Sequence, residues 1–294
     1  MPPVTFDQRF AAVPAAQRDA LQRFWREHPY TDHLPDGTPW RYIAMGQGRH
    51  LVLLLPHALF PADAWFQLAL ALEGRYRVLL LDGYAWQRVF DPLRLTELIV
   101  QTIEAEKRHS ATIVAHSCGG SPAQWLLHRW PHRVQGMVLV QAPALTESSA
   151  VPYGGSRLRL NTLPWTLSPA ALARALAPNL PATGEWAEFA RAYIGLYSAE
   201  VEKALVPKML GAERLMRALY RPETQDLRSW RGRALAITAE DDPFEGDSLE
   251  IYRQRYADLE VTRFDAGGHW TPLLYPDLLA ERVARFLLAL GLTR

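Results

Sequence analysis

The sequence predicts an α/β fold: a mostly parallel central sheet with helices on both faces, plus a helical insertion. Three observations predict it. Short apolar runs recur along the chain without clean alternation, as expected of strands covered on both faces. Helical patterns separate most of them, the signature of parallel strands joined by crossover helices. One interval, about 142–230, breaks the alternation and reads as helical throughout.

The elements follow in chain order. Residues 6–28 ("FDQRFAAVPAAQRDALQRFWREH") read as one or two amphipathic helices with Phe10, Leu21 and Phe24 as apolar positions. Pro14 breaks or starts a helix there. "DGTP", 36–39, is a turn. "RYIAM" (41–45) and "HLVLLL" (50–55) read as strands around "GQGR". Further strand-like runs are "RVLLLD" (77–82), "ATIVA" (111–115), "GMVLVQ" (136–141), "ALAIT" (234–238) and "EVTRF" (260–264). Helical patterns cover 62–73, 92–108, 118–130, 246–257 and 275–290. The interval 142–230 shows no convincing strand; its helix-like pieces are 167–177, 184–198 and 199–220. This divides the chain into an N-terminal helical segment (1–39), a core (40–143 and 229–294) and a helical cap (144–228).

Composition excludes several classes. The net charge is +1 and no Lys/Arg-rich block occurs, so there is no field for nucleic acid or an anionic membrane. The longest apolar runs are far too short to span a bilayer. A single cysteine, Cys118, rules out an intrachain disulfide and thiolate metal clusters. The first residues lack a charged head followed by an apolar run. A cytoplasmic protein in a reducing compartment is expected, with a homo-oligomer left open.

"ATIVAHSCGG", 111–120, carries the chemistry. Ile113–Ala115 end a strand, and "CGGSPAQWLLHRW" starts a helix that stops before Pro131. Ser117 therefore sits on a sharp strand-to-helix turn. Such a turn strains the nucleophile's backbone and needs small residues two before and two after it. Those are Ala115 and Gly119. The other reading is a plain N-cap. "LAITAEDDPF" (235–244) is a strand followed by an acidic turn, and Pro243 can begin the next helix. Asp242 is again either an N-cap or a functional acid. "FDAGGHWTPLL" (264–274) places His269 on a Gly-rich loop beyond a strand end, the edge where ligands bind in open α/β sheets.

In the order Ser117, Asp242, His269, the chain resembles an α/β-hydrolase of the serine-nucleophile branch. The resemblance covers most of 40–294 and rests on "AHSCGG", "AEDDP" and "AGGHW…PDLLAERVARFL". It implies a serine nucleophile, His269 as base and Asp242 orienting it, with Asp241 as the rival acid. Asp242 is preferred because the family places the acid directly before a Pro-like helix start. The resemblance also implies an oxyanion hole from the backbone N–H groups of Cys118 and Leu59. Leu59 lies in "LLLPHALFP" (53–61), where Ala58 stands in place of the usual glycine. His57 is read as structural, and His116 as a pocket or packing residue. Serine at 117 argues against dehalogenase and epoxide hydrolase chemistry, which use a carboxylate nucleophile. The family's Asp-x-Arg-Gly-x-Gly-x-Ser loop is replaced by "LDGYAWQRVFD" (81–91).

The expected activity is hydrolysis of small to medium apolar or aromatic carboxylic esters, a small-molecule substrate, with no organic cofactor and no metal. Candidate substrate-binding residues are Phe60, His116, Tyr84, Trp165, Trp186, Tyr193, Tyr197 and Trp270. The alternatives within the fold are an aminopeptidase or amidase, with Glu185, Glu188, Glu200 and Glu202 available for an amine, and a C–C bond hydrolase. A non-catalytic binding protein is the alternative of another class.

Overall fold

The computed structural model describes residues 5–57, 60–83, 89, 91–146, 150–153, 156–159, 180–181, 183–200, 205–220 and 227–291. In chain order the elements are α1 (Phe6–Arg9), α2 (Ala15–Glu27), β1 (Thr31–His33), β2 (Pro39–Met45), β3 (Leu51–Leu55), α3 (Phe66–Leu72), β4 (Arg77–Leu81) and α4 (Pro92–Ala105). Then come β5 (Ala111–His116), α5 (Gly120–Arg129), β6 (Val134–Val140), β7 (Ala150–Tyr153), β8 (Ser156–Arg159), α6 (Ala187–Glu200) and α7 (Leu205–Leu219). The chain ends with β9 (Arg233–Ala239), α8 (Ser248–Arg255), β10 (Leu259–Phe264), α9 (Thr271–Leu274) and α10 (Pro276–Ala289).

Eight strands form one sheet in the order β1-β2-β4-β3-β5-β6-β9-β10. β1 and β2 are antiparallel to their neighbours, and the rest are parallel. Every residue of β3 and β5 is buried, which is why their sequences run apolar without alternation. β2, near the edge, alternates instead. One face of the sheet is covered by α1, α2, α3, α6 and α10, through Phe10, Phe24, Phe66, Phe189 and Phe286. The other is covered by α4, α5, α7 and α8, through Leu98, Leu126, Met216 and Tyr252. The chain passes from β3 to β4 on one side and then crosses back past β3 to β5 on the other, so the strand order reverses there. Ligands bind at such a switch point, outside the carboxyl ends of the strands.

Three expectations need correction. The interval 142–230 does contain strands: β7 and β8 pair antiparallel as a separate two-stranded ribbon. Each is four residues long, one contains Pro152, and Gly154-Gly155 separates them, so neither shows the periodicity of a core strand. β1 is a three-residue edge strand, too short and too exposed to leave an apolar signature. Pro243 does not open a helix; α8 begins at Ser248, after turns. The stretch 167–177 lies outside the described residues.

The second N-terminal helix, α2, and α6 meet on one buried carboxylate. Asp63 accepts from Trp25 Nε1 (2.5 Å), Tyr197 Oη (2.7 Å) and Tyr193 Oη (3.1 Å). Burial pushes its carboxyl up, and these hydrogen bonds oppose that. Asp63 follows the loop after β3, so it joins α2 and α6 to the sheet edge that carries the site. Tyr197→Phe removes one donor and should cost about 1–3 kcal/mol. The check is a lower urea midpoint at unchanged slope.

Candidate active site

β5 runs straight into Ser117, whose φ of +54° is in the left-handed region. For a residue with a Cβ this costs roughly 1–2 kcal/mol. The surroundings leave no alternative. A Cβ on Gly119 would lie 2.7 Å from the carbonyl oxygens of both Leu55 and Pro56, and one on Gly120 would lie 2.5 Å from the Ala142 Cβ. The turn can therefore pass this close to β3 and β6 only with glycine at both places. Ser117 is not a helix cap: neither the short turn Ser117–Gly119 nor α5 has a side-chain cap. Its hydroxyl is instead 2.6 Å from His269 Nε2.

His269 Nδ1 is 3.0 Å from Asp242 Oδ1. A carboxylate accepts, so Nδ1 carries the proton and Nε2 is free to accept from the Ser117 hydroxyl. The same Asp242 oxygen accepts the Phe244 N–H at 3.0 Å, which fixes the carboxylate in its turn. Asp241 faces elsewhere: it accepts from the Gly268 N–H (2.8 Å) and the Gly267 N–H (3.3 Å) and shapes the histidine loop. All three residues of the Ser–His–Asp chain are buried.

A comparison with protein families matches residues 51–282 to the Alpha/beta hydrolase family. The chain belongs to that family. It is an enzyme of the hydrolase class. A search of curated proteins found no match. Solved structures share the fold. A putative lipase from Acinetobacter baumannii is 17% identical with a TM-score of 0.68, covering 96% of this chain and 98% of its own. A meta-cleavage product hydrolase from Pseudomonas fluorescens is 20% identical with a TM-score of 0.67, covering 88% and 97%. An epoxide hydrolase from Bacillus megaterium is 18% identical with a TM-score of 0.61, covering 88% and 99%.

Around the serine this hydrolase packs rings. Phe244 lies 4.5 Å from the His269 ring, and His57 and Trp270 lie 6.3 and 5.7 Å from it. Phe60 packs on His57 and Trp270. His116 Nε2 is 2.9 Å from the His269 carbonyl oxygen, which only accepts, so His116 carries its proton on Nε2. Burial pushes His57 down to about 3 and His116 well below the ordinary range, with the other histidines adding to it. Both are therefore neutral rings packed beside His269.

Of the candidate binding residues, Phe60, His116 and Trp270 are brought close to His269 or His57 beside it. Tyr193 and Tyr197 pack on Phe60 but spend their hydroxyls on Asp63, so they are pins rather than polar pocket groups. Trp186 packs on Phe189 and lines a separate surface cavity with Leu274 and Tyr275. Leu59, Tyr84 and Trp165 lie outside the described residues. Glu185 and Glu188 are exposed, and Glu188 pairs with Arg191 at 2.6 Å. Among the described residues no group of three or more His, Cys, Asp or Glu could hold a metal, and no helix is long and apolar enough to cross a membrane. Sequence reasoning missed Gln141, a buried amide at the end of β6 with φ +48°. Its only sequence signal is a polar residue closing an apolar run.

Two predictions follow from this packing. Gly119→Ala forces the turn away from β3 and should cost about 1–3 kcal/mol, read as a lower Tm. The buried His50, His57 and His116 set an acid limit. Above about pH 6.5 they are neutral in both folded and unfolded chains and add no pH dependence. Below it the unfolded chain takes up protons that the folded chain refuses, down to about 4 for His50 and about 3 for His57. Stability should fall by up to about 1.4 kcal/mol per pH unit for each such histidine. Asp63 opposes this, because its raised carboxyl binds a proton in the folded state first. Three buried histidines outweigh one carboxyl, so calorimetry should show Tm falling from pH 6.5 to 4.5, less steeply in His57→Gln.

Proposed function

We propose that this hydrolase cleaves carboxylic esters through an acyl-enzyme on Ser117. The observation that carries the reading is Ser117 in a left-handed conformation, 2.6 Å from a histidine whose other nitrogen is held by Asp242. In this reading Ser117 Oγ attacks the ester carbonyl and its proton passes to His269 Nε2. The proton then goes to the leaving alcohol, and water repeats the sequence to release the acid. Asp242 keeps the imidazole in the Nδ1–H tautomer and stabilises the imidazolium. The Cys118 N–H, with that of Leu59, is assigned to the oxyanion; such donors are worth roughly 3–4 kcal/mol each.

The relatives named above act on different bonds and share less than a quarter of their residues with this chain, so the bond is argued from the chain itself. A serine nucleophile supports acyl transfer rather than epoxide opening. Phe60, Trp270 and Phe244 beside the base favour an uncharged or aromatic ester. The segment 144–228 is assigned as a cap over the strand ends: α6 is tied to Asp63 and α7 to α5, on either side of the site. The exposed Glu185 and Glu188 give no support to an amine-binding aminopeptidase.

The test is hydrolysis of p-nitrophenyl esters from acetate to decanoate. Ser117→Ala should lower kcat by at least roughly 10⁴-fold, and Asp242→Asn by roughly 10⁴-fold, in proteins that still fold. Full activity in Ser117→Ala would sink the reading. Inactivity of the wild type on every ester would move the search to amides, lactones and diketones.

A further inference from the structure

The base sits on a loop with little stiffness of its own. Gly267 and Gly268 precede His269, with φ of +134° and +52°. Glycines are the least constrained residues in a chain. A proton-transfer group nevertheless has to be held within a fraction of an ångström. Side chains from the ends of three adjacent strands hold this loop. From β5, His116 donates to the His269 carbonyl. After β9, Asp241 accepts the Gly267 and Gly268 N–H groups. After β6, Gln141 grips both flanks of the histidine. Its Nε2 donates to the Gly268 carbonyl, and its Oε1 accepts from the Thr271 N–H (3.0 Å) and the Thr271 hydroxyl (2.8 Å).

Gln141 is the member of the clamp that bridges across the base. It is 4% exposed, and its backbone N–H still donates to Ile237 O at 2.7 Å. Its φ of +48° is uncommon for any residue with a Cβ and least strained for asparagine or aspartate. That conformation coincides with a side chain that meets three loop groups at once. The residue types fit the task. One flank presents a carbonyl, which needs a donor; the other presents an N–H and an O–H, which need an acceptor. A primary amide supplies both, and a carboxylate or thioether does not.

We propose that Gln141 is a positioning residue for His269. It holds the loop so that Nε2 stays on Ser117 and Nδ1 on Asp242. The inference rests on the serine-hydrolase reading above, and the experiment separates the two. A fluorophosphonate reports Ser117 reactivity without a known substrate. The serine oxygen bonds to phosphorus, fluoride leaves, and the hydroxyl proton passes to His269. Wild type should label and Ser117→Ala should not. If the wild type fails to label, or the alanine variant labels equally, the serine-hydrolase reading fails and this proposal goes with it.

Given Ser117-dependent labelling, Gln141→Asn decides the matter. Asparagine relieves the backbone strain but is one methylene shorter and cannot span both flanks. The variant should stay folded at the assay temperature, by its unchanged far-UV circular dichroism, yet label about 10- to 100-fold more slowly. Its downfield His269 Nδ1–H proton resonance, assigned by its loss in His269→Gln, should broaden or disappear. Gln141→Met, which keeps the volume and removes all three bonds, should label slowly too. Wild-type labelling rates and an unchanged resonance in both variants would overturn the proposal and leave Gln141 a structural residue.

Discussion

The site depends on one close approach: the turn after β5 packs its backbone against the carbonyls that end β3. No Cβ fits at position 119 between the Leu55 and Pro56 oxygens, and none fits at 120 against Ala142. That contact sets where α5 begins and leaves Ser117 the left-handed conformation it adopts. Strain of this kind persists only where the surroundings over-determine it. Here a fully buried strand, two glycines and a buried helix do so.

Polar side chains then bind the less regular parts to this frame. Asp63 gathers α2 and α6. On the other face Glu213 accepts from Ser121 at 2.8 Å and from Arg217 at 2.7 Å, while Trp125 donates to the Met216 carbonyl, so α7 is held to α5 just beyond the serine turn. Arg217 is almost completely buried and also reaches the Ala144 carbonyl. A buried ion pair is weak evidence of net stability, because desolvation offsets its attraction. Breaking one side of it is costly, so it specifies one docked position for α7. Neutral His57 and His116 fit the same pattern: burial keeps the rings packed beside His269 uncharged.

Much of the fold was legible because buried parallel strands advertise themselves. "LVLLL" and "ATIVA" have no polar face to show, and helical patterns separate them. The short edge strand β1 and the β7–β8 ribbon were not legible, since a three- or four-residue strand carries too few side chains to display a period. The serine, acid and histidine could be picked out from their loops. Between the two adjacent aspartates, the preference for Asp242 rests on the family resemblance alone, since both follow the same strand and differ only in direction. Asp242 is turned in by its own hydrogen bond to the Phe244 N–H, while Asp241 is turned out onto two glycine amides.

By itself the sequence determined seven of the sheet's eight strands, the strand-to-helix turn at Ser117 and the order in which the three chemical groups arrive. Those are local properties: apolar runs, small residues at fixed offsets and loops at strand ends. Tertiary structure alone decided that Tyr193 and Tyr197 serve Asp63, that the N-terminal helices cover the same face as α6 and α10, and that Gln141 meets the histidine loop. Each of these joins residues more than a hundred positions apart or on separate elements. Hydrogen-bond partners at such distances are chosen by how helices pack on the sheet, and no local pattern in the chain records that choice.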